Sequence, residues 1–169
     1  MGLGSVDRGD DAVGPVVAAA VGQAVAARGL SGVHVIDHEA PTALIELMDD
    51  HDVVVIIDAV RSGAAPGTLT VRPVGHDRSP LPARTDPGPT GTHGLGLAGA
   101  IELARALDRL PSRVVVVGVE AIHFGHGAPL SAPVLAAVPR AVDAVLGLLR
   151  TGLAGTQLRS PSDADEPPP

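Results

Sequence analysis

The 169-residue sequence contains no cysteine, no tryptophan and no tyrosine, and it has a single phenylalanine. The absence of cysteine excludes disulfide bonds, thiolate metal sites and a cysteine nucleophile. The near absence of aromatic side chains leaves no surface on which the bases of single-stranded nucleic acid would stack. We therefore expect neither a thiol enzyme nor a protein that binds nucleic acid in that way.

Basic residues are also scarce, with 12 against 19 acidic residues and a formal net charge of -7. This balance argues against a phosphate-binding surface. No basic segment followed by an apolar run and a cleavage site opens the chain. The longest apolar stretch, 13–27, contains Gly22 and Gln23 and is too short to span a bilayer. We expect a cytoplasmic protein without nucleic-acid or membrane partners.

Hydrophobic residues make up 45% of the chain, and they follow an alternation of strand and helix patterns. The β-branched runs at 52–58 and 113–120 predict strands buried on both faces, as parallel sheets require. Further strands are predicted at 33–39 and at 67–74; the latter contains Pro73 and is expected at a sheet edge.

Helical spacing predicts helices over 13–28, 41–48, 95–107 and 132–149. Thr42 is a candidate N-cap of the second helix, and Pro139 is expected to kink or break the last. The alternation predicts a three-layer α/β/α sandwich with a mostly parallel twisted sheet. Residues 1–151 are expected to form one domain, and 152–169 a disordered Pro-rich and acidic tail.

Three side chains fall where strands or glycine-rich loops meet the edge at which open α/β sheets bind ligands. Asp11 lies in the glycine-rich opening stretch 2–14, Asp58 ends a buried strand, and His93 precedes a helix. Each has a simpler interpretation. Asp10 or Asp11 would cap the first helix, Asp58 would bind backbone N–H groups, and His93 would be a solvated loop residue.

Taken together, two carboxylates and an imidazole suit a borderline divalent metal such as zinc or nickel. Three protein ligands would leave a coordination position open for water or substrate. The Gly94–Gly99 segment matches a dinucleotide-binding fingerprint in its letters, but it follows a Pro/Gly loop rather than a strand. His123 and His126 are a weaker metal pair, which we expect to shape or line their loop instead.

Four motifs in order resemble those of the hydrogenase maturation proteases, over about residues 2 to 149. They are Gly2-x-Gly4-Ser5-x-x-x-Gly9-Asp10-Asp11-x-x-Gly14; Ile56-Ile57-Asp58-Ala59-Val60 with Gly63 and Pro66-Gly67; Thr92-His93-Gly94-Leu95; and Val117-Gly118-Val119-Glu120 with Leu130-Ser131, Val134 and Ala137-Val138-Pro139.

The resemblance implies an aspartyl-type endopeptidase that removes the C-terminal extension of a [NiFe]-hydrogenase large-subunit precursor after nickel insertion. Asp11, Asp58 and His93 match the family's three metal-contacting residues, whereas Asp10 matches an acidic position that is not a ligand. The nickel would come with the substrate, and another divalent metal such as zinc or cadmium could occupy the site in vitro. Either carboxylate would serve as general base. A loop at 76–94 would line the substrate groove. We expect the protein to be a monomer.

The resemblance also implies a central first strand that runs into Gly2, and Met1 stands where its last apolar residue would lie. We therefore expect this strand to be missing from the chain and the true start to lie upstream. Two other functions remain open at this point. One is a degenerate, non-catalytic binding module for a hydrogenase precursor; the other is a small-molecule hydrolase on the same scaffold.

Overall fold

A computed structural model of the chain describes residues 1–49, 51–74 and 96–156. The strands are β1 (Gly2–Leu3), β2 (Asp37–His38), β3 (Val53–Val60), β4 (Leu69–Val74) and β5 (Arg113–Glu120). The helices are α1 (Val13–Ala27), α2 (Leu44–Leu47), α3 (Leu97–Ala106) and α4 (Ala132–Thr156), with short 3₁₀ helices at Gly9–Ala12 and Pro41–Ala43.

The five strands form one sheet in the order β2-β1-β3-β5-β4. Strands β2, β1, β3 and β5 are parallel, and β4 runs antiparallel to β5 at one end of the sheet. The predicted mostly parallel sheet with an edge strand at 67–74 is thus confirmed. We call the side of the sheet at which the four parallel strands end the carboxyl edge.

Helices cover both faces of the sheet, because successive side chains of β3 and β5 point to opposite faces. One face packs against α1 and α4 and the other against α2 and α3, which gives the expected three layers. The first core contains Val17, Val55, Ile57, Val117, Val134 and Ala141. The second contains Leu3, Leu44, Ile56, Ala100, Ile101 and Val116.

Strand β1 lies between β2 and β3, at the central place expected for the first strand, and has two residues where β3 has eight. The Ile57 amide donates to the Met1 carbonyl at 2.8 Å, and the Met1 ammonium donates to the Val55 carbonyl at 2.7 Å. Burial of the ammonium lowers its pKa to about 6. The short β1 also explains why β2 covers only Asp37–His38 of the strand predicted at 33–39.

The helices differ from prediction at three places. Residues 41–48 form a 3₁₀ helix followed by α2, and Thr42 makes no side-chain cap. Helix α4 continues through Pro139 and extends to Thr156, five residues beyond the predicted domain boundary at 151. The predicted break at Pro139 is wrong, because the helix continues through this residue. Proline has no N–H to donate to the carbonyl of Leu135. Pro139 and Leu135 are both exposed, so water can satisfy that carbonyl. Residues 157–169 of the predicted tail lie outside the described residues.

Helix α4 is also long and apolar enough, over Ala132–Thr151, to pass as a membrane span by length and composition. This is weak evidence for such a span, because core helices of globular domains pass the same test. The buried residues Val134, Ala137, Ala141 and Val145 form one face of α4 that packs into the first core. That packing accounts for the apolar character of this face of the helix.

Candidate functional site at the carboxyl edge

Asp58 lies near the carboxyl end of β3, opposite Gly118 of β5, and is half-buried. Its strand is a run of β-branched residues that pairs with neighbours on both sides, so the backbone position of Asp58 is well fixed. Because side chains alternate along a strand, Asp58 points to the same face as Val54 and Ile56. This is the face that α2 and α3 cover.

Asp11 belongs to the buried 3₁₀ helix Gly9–Ala12, which follows β1 and leads into α1. The Ser5 amide donates to its Oδ2 at 3.0 Å. Gly4 has a φ of +126°, and a Cβ built there would lie 2.0 Å from the Asp11 carbonyl oxygen. Only glycine permits both this backbone conformation and this close approach, so the glycine-rich opening stretch serves to seat Asp11.

The second carboxylate oxygen of Asp11 is open. Within the described part of the chain, Oδ1 accepts no hydrogen bond, and this oxygen is not fully buried. The residue as a whole is only 8% exposed. Asp11 therefore presents one accessible oxygen from an otherwise fixed side chain, which is a geometry suited to contacting a metal or a water.

Asp58 belongs to β3, and Asp11 belongs to the 3₁₀ helix that follows the adjacent strand β1. Gly2 pairs with Ile57, so the same register places Leu3 opposite Asp58. Gly4, which lies against the Asp11 carbonyl, follows one position later. Neighbouring strands lie about 4.8 Å apart. The fold thus brings the segments that carry the two predicted residues to the same part of the carboxyl edge, although 47 positions (58 − 11) separate them in the sequence.

The third predicted residue, His93, lies outside the described residues, as does the predicted groove loop at 76–94. Helix α3, which follows them in the chain, contacts the 3₁₀ helix Pro41–Ala43, and that helix follows the carboxyl end of β2. Across residues 1–49, 51–74 and 96–156, no three His, Asp or Glu side chains are grouped as metal ligands would be. The complete triad therefore stays a prediction.

One interpretation of the sequence predicts that Asp10 caps the first helix, but the structure shows no such cap. The Asp10 carboxylate is 0% exposed and accepts hydrogen bonds from the Ile122 and His123 amides, each at 3.0 Å, and from both the amide and hydroxyl of Ser131. Burial alone would raise the pKa of Asp10, but these hydrogen bonds outweigh it and hold that pKa below its ordinary value. The side chain is thus an ionised carboxylate within the fold.

Glu120, at the end of β5, is a second buried carboxylate at this edge and is 3% exposed. It accepts hydrogen bonds from the Ser62 amide and hydroxyl and from the Gly63 amide, at 2.7 to 3.0 Å. These contacts hold the β3–β4 loop (61–68), which begins three residues after Asp58. The sequence shows Glu120 only as part of a motif. It does not predict these hydrogen bonds, because the partners of Glu120 are 57 and 58 residues away.

The β5–α4 loop (121–131) completes the edge. The Arg61 guanidinium donates to the Ile122 carbonyl at 3.0 Å and lies 5.0 Å from the centre of the Phe124 ring. His123 contributes its backbone: its carbonyl accepts from the Asp10 amide at 2.7 Å. The rings of His123 and His126 belong to exposed residues and form no metal group with other described residues.

Comparisons with known proteins agree with this architecture. A family profile described as "Hydrogenase maturation protease" (HycI) matches residues 20–148. The hydrogenase expression/formation protein HupD of Rhizobium leguminosarum bv. viciae is 29% identical over 127 residues, which are 74% of this chain and 60% of HupD. The chain therefore spans less than two thirds of the length of that relative.

Solved structures give the same picture. The hydrogenase maturating endopeptidase HybD from E. coli superposes with a TM-score of 0.72 at 26% identity, over 89% of this chain and 90% of HybD. The [NiFe] hydrogenase maturation protease HycI of Thermococcus kodakarensis KOD1 superposes with a TM-score of 0.64 at 23% identity, over 88% and 89%; this second likeness concerns the fold.

The family match begins inside α1 and ends in α4, so it contains Asp58, His93 and Glu120 but not Asp10 or Asp11. It nevertheless covers most of the described sheet and both of its helical layers. The chain belongs to the hydrogenase maturation protease family.

Proposed function

We propose that this chain is a cytoplasmic endopeptidase that removes the C-terminal extension of a [NiFe]-hydrogenase large-subunit precursor after nickel insertion. The observation that supports the proposal is that Asp11 follows β1 and Asp58 lies near the end of the adjacent strand β3, in a chain of this family. The likeness to an E. coli hydrogenase maturating endopeptidase supports the reaction class. The large-subunit precursor is the proposed partner.

The chemistry of the donor set fits nickel that the precursor itself carries. Asp11 offers an accessible Oδ1 while its other oxygen is held by Ser5, and Asp58 offers a second carboxylate. His93 would supply an imidazole nitrogen, and this mixed O/N set suits nickel or zinc. The metal, when present, would act as a Lewis acid toward the scissile carbonyl or the attacking water.

The protein's own part in the reaction is to orient the precursor and to move a proton. An ionised carboxylate at the carboxyl edge can accept a proton from the attacking water and return it to the leaving amine. Both Asp11 and Asp58 have the chemistry for this role. Their fixed backbones mean that little reorganisation is needed once the precursor is bound.

Substitution of Asp58 tests this proposal most simply. Asp58→Asn keeps the size of the side chain and removes its charge, so we expect cleavage of a nickel-loaded precursor to fall by about 100-fold or more. Asp52→Asn is the matched control, because exposed Asp52 immediately precedes the same strand at the opposite edge, about 20 Å away. The readout is the intact mass of the precursor over time.

Asp52→Asn should cleave at the wild-type rate, and both variants should keep the wild-type circular dichroism spectrum. Equal rates for wild type and Asp58→Asn would remove Asp58 from the mechanism. A folded wild-type protein that binds the precursor without shortening it would instead support the non-catalytic binding module.

A further inference from the structure

We propose that Asp10 is a positioning residue: its buried carboxylate fixes the 3₁₀ helix Gly9–Ala12 against the β5–α4 loop and thereby sets where Asp11 is presented. The inference rests on the proposed function for the reaction that Asp11 serves. It concerns a different residue, however, and its structural part has a readout that does not depend on cleavage.

The four groups around the Asp10 carboxylate are all hydrogen-bond donors. Oδ2 accepts from the Ile122 amide, the His123 amide and the Ser131 hydroxyl, each at 3.0 Å, and Oδ1 accepts from the Ser131 amide at 2.6 Å. An ionised carboxylate satisfies such a set, because it only accepts. An asparagine would turn its NH₂ group toward at least one of these donors.

Backbone hydrogen bonds of residues just before Asp10 join the same two segments. The Gly9 amide donates to the Ala128 carbonyl at 3.1 Å, and the Gly127 amide donates to the Asp7 carbonyl at 2.7 Å. Gly9 has a φ of +59°, and a Cβ there would lie 2.7 Å from the His123 carbonyl oxygen. The two segments thus lie so close together that only glycine fits at position 9.

The contact with Ser131 ties Asp10 to the amino end of a long helix. The Leu135 amide donates to the Ser131 carbonyl at 2.9 Å, so Ser131 is the residue at which the helical bonding of α4 begins. The amino end of a helix carries partial positive charge, which favours a carboxylate there. Because α4 is packed along the sheet, it is a rigid support for Asp10.

Asp11 is coupled to Asp10 through one short helical turn. The Asp11 amide donates to the Arg8 carbonyl at 3.2 Å, and the Ser5 amide donates to Asp11 Oδ2. If the Asp10 side chain loses its partners, only backbone hydrogen bonds still join the turn to the β5–α4 loop, and Asp11 is held less firmly. Because the Ser5 amide donates to the Asp11 carboxylate, its hydrogen exchange reports on the placement of Asp11.

The test compares Asp10→Asn with Val145→Ala in the full chain. Val145 is a buried residue of α4 that lies 13 positions after Ala132, away from the carboxyl edge. The two variants are compared at temperatures equally far below their own melting points, which corrects for lost stability. The readouts are amide hydrogen exchange at Ser5 and the kinetics of cleavage of the nickel-loaded precursor.

In Asp10→Asn we expect Ser5 to exchange at least about 10-fold faster, and kcat to fall at least about 10-fold with KM changed less than about 3-fold. Val145→Ala should leave all three near wild type. If Asp10→Asn does not fold, Ser131→Ala removes one of the four hydrogen bonds and should shift the same readouts by a smaller factor in the same direction.

Equal Ser5 exchange in Asp10→Asn and Val145→Ala would overturn the proposal, whatever the cleavage rates are. Faster Ser5 exchange with an unchanged kcat would also overturn it, since Asp11 would then have moved without consequence. A wild-type chain that cleaves nothing, together with faster Ser5 exchange in Asp10→Asn, would refute the proposed function while supporting the structural role of Asp10.

Discussion

Asp10 and Asp11 are neighbours in the chain, yet their carboxylates meet different surroundings. Among residues 1–49, 51–74 and 96–156, fully buried Asp10 has four hydrogen-bond donors around its carboxylate, whereas Asp11 has one donor and an accessible oxygen. A carboxylate whose lone pairs are used within the fold is unavailable to a ligand, while a partly used one is available. The pair thus divides into a structural residue and a candidate functional one.

Gly4 offers a direct test of how Asp11 is seated. Gly4→Ala would place a Cβ 2.0 Å from the Asp11 carbonyl oxygen at a φ of +126°, and we expect it to lower the free energy of unfolding by at least about 3 kcal/mol. Gly29→Ala is the control, because Gly29 also has a positive φ but, in the described part of the chain, no atom beyond its sequence neighbours lies within 4 Å of its Cβ position.

For Gly29→Ala we expect a loss of about 1 to 2 kcal/mol, which is the cost of a left-handed backbone alone. Urea unfolding of both variants gives the comparison. Similar losses in the two variants would mean that the contact between Gly4 and Asp11 is not as close as described.

The residues of the site differ in how far the sequence predicts them. Asp58 follows a run of five β-branched residues, 53–57, and Asp11 lies in a glycine-rich stretch before a helix; both patterns are local. The role of Asp10 is not local, because its partners lie 112 to 121 positions away. A sequence pattern shows that a carboxylate is present, but only the folded chain shows which amides it meets.

At the scale of elements, the strongest periodic patterns gave the most accurate predictions. Strand β5 has the bounds predicted for it, and α1 ends one residue before its predicted end. Strand β2 is shorter than predicted because a strand needs a neighbour, and β1 pairs only with its Asp37 and His38. Pairing is a property of two segments, so the pattern at 33–39 alone did not predict the outcome.

Pro139 gives a prediction at this scale. Proline removes one backbone hydrogen bond from a helix interior, and here both Pro139 and Leu135, whose carbonyl loses its donor, are exposed. We expect Pro139→Ala to raise the free energy of unfolding by about 1 to 3 kcal/mol.

Pro133→Ala is the matched control, since Pro133 is exposed in the first turn of α4, where no hydrogen bond is lost. It should change stability by less than about 1 kcal/mol. Chemical denaturation of both variants decides the matter, and a destabilised Pro139→Ala would show that the proline is required by the packing of α4.

At the scale of the whole molecule, the chain that begins at Met1 has a buried amino group, which predicts a pH dependence of the stability of that chain. The folded chain holds the Met1 ammonium with a pKa lowered by burial to about 6, against an ordinary value of 8.0. Between these values the unfolded chain binds more protons than the folded one, so stability increases with pH across this window. These two pKa values correspond to a gain of about 2 kcal/mol in the free energy of unfolding from pH 6 to pH 8.

Urea unfolding of the chain with a free Met1 amine, at several values of pH, measures this gain. The Nα-acetylated chain is the control: it has no titrating amine, but it keeps every histidine and carboxylate. The difference between the two chains should grow from pH 8 toward pH 6, with the free amine the less stable. Parallel pH profiles would show that the ammonium is solvated rather than buried.

The architecture as a whole brings three loops to the carboxyl edge and fixes each to its neighbour. Asp10 joins the segment after β1 to the loop after β5, and Glu120 joins the end of β5 to the loop after β3. Rigid elements that hold reacting groups in place reduce the reorganisation needed for catalysis. This arrangement suits the proposed cleavage of a folded, metal-loaded precursor.

The measurement that tests the central claim most directly is the intact mass of a [NiFe]-hydrogenase large-subunit precursor after incubation with this protein. The nickel-loaded precursor should lose a mass equal to its C-terminal extension, and the nickel-free precursor should keep its full mass. An unchanged mass for the nickel-loaded precursor, with the protein folded by circular dichroism, would contradict the assignment of the chain as a maturation endopeptidase.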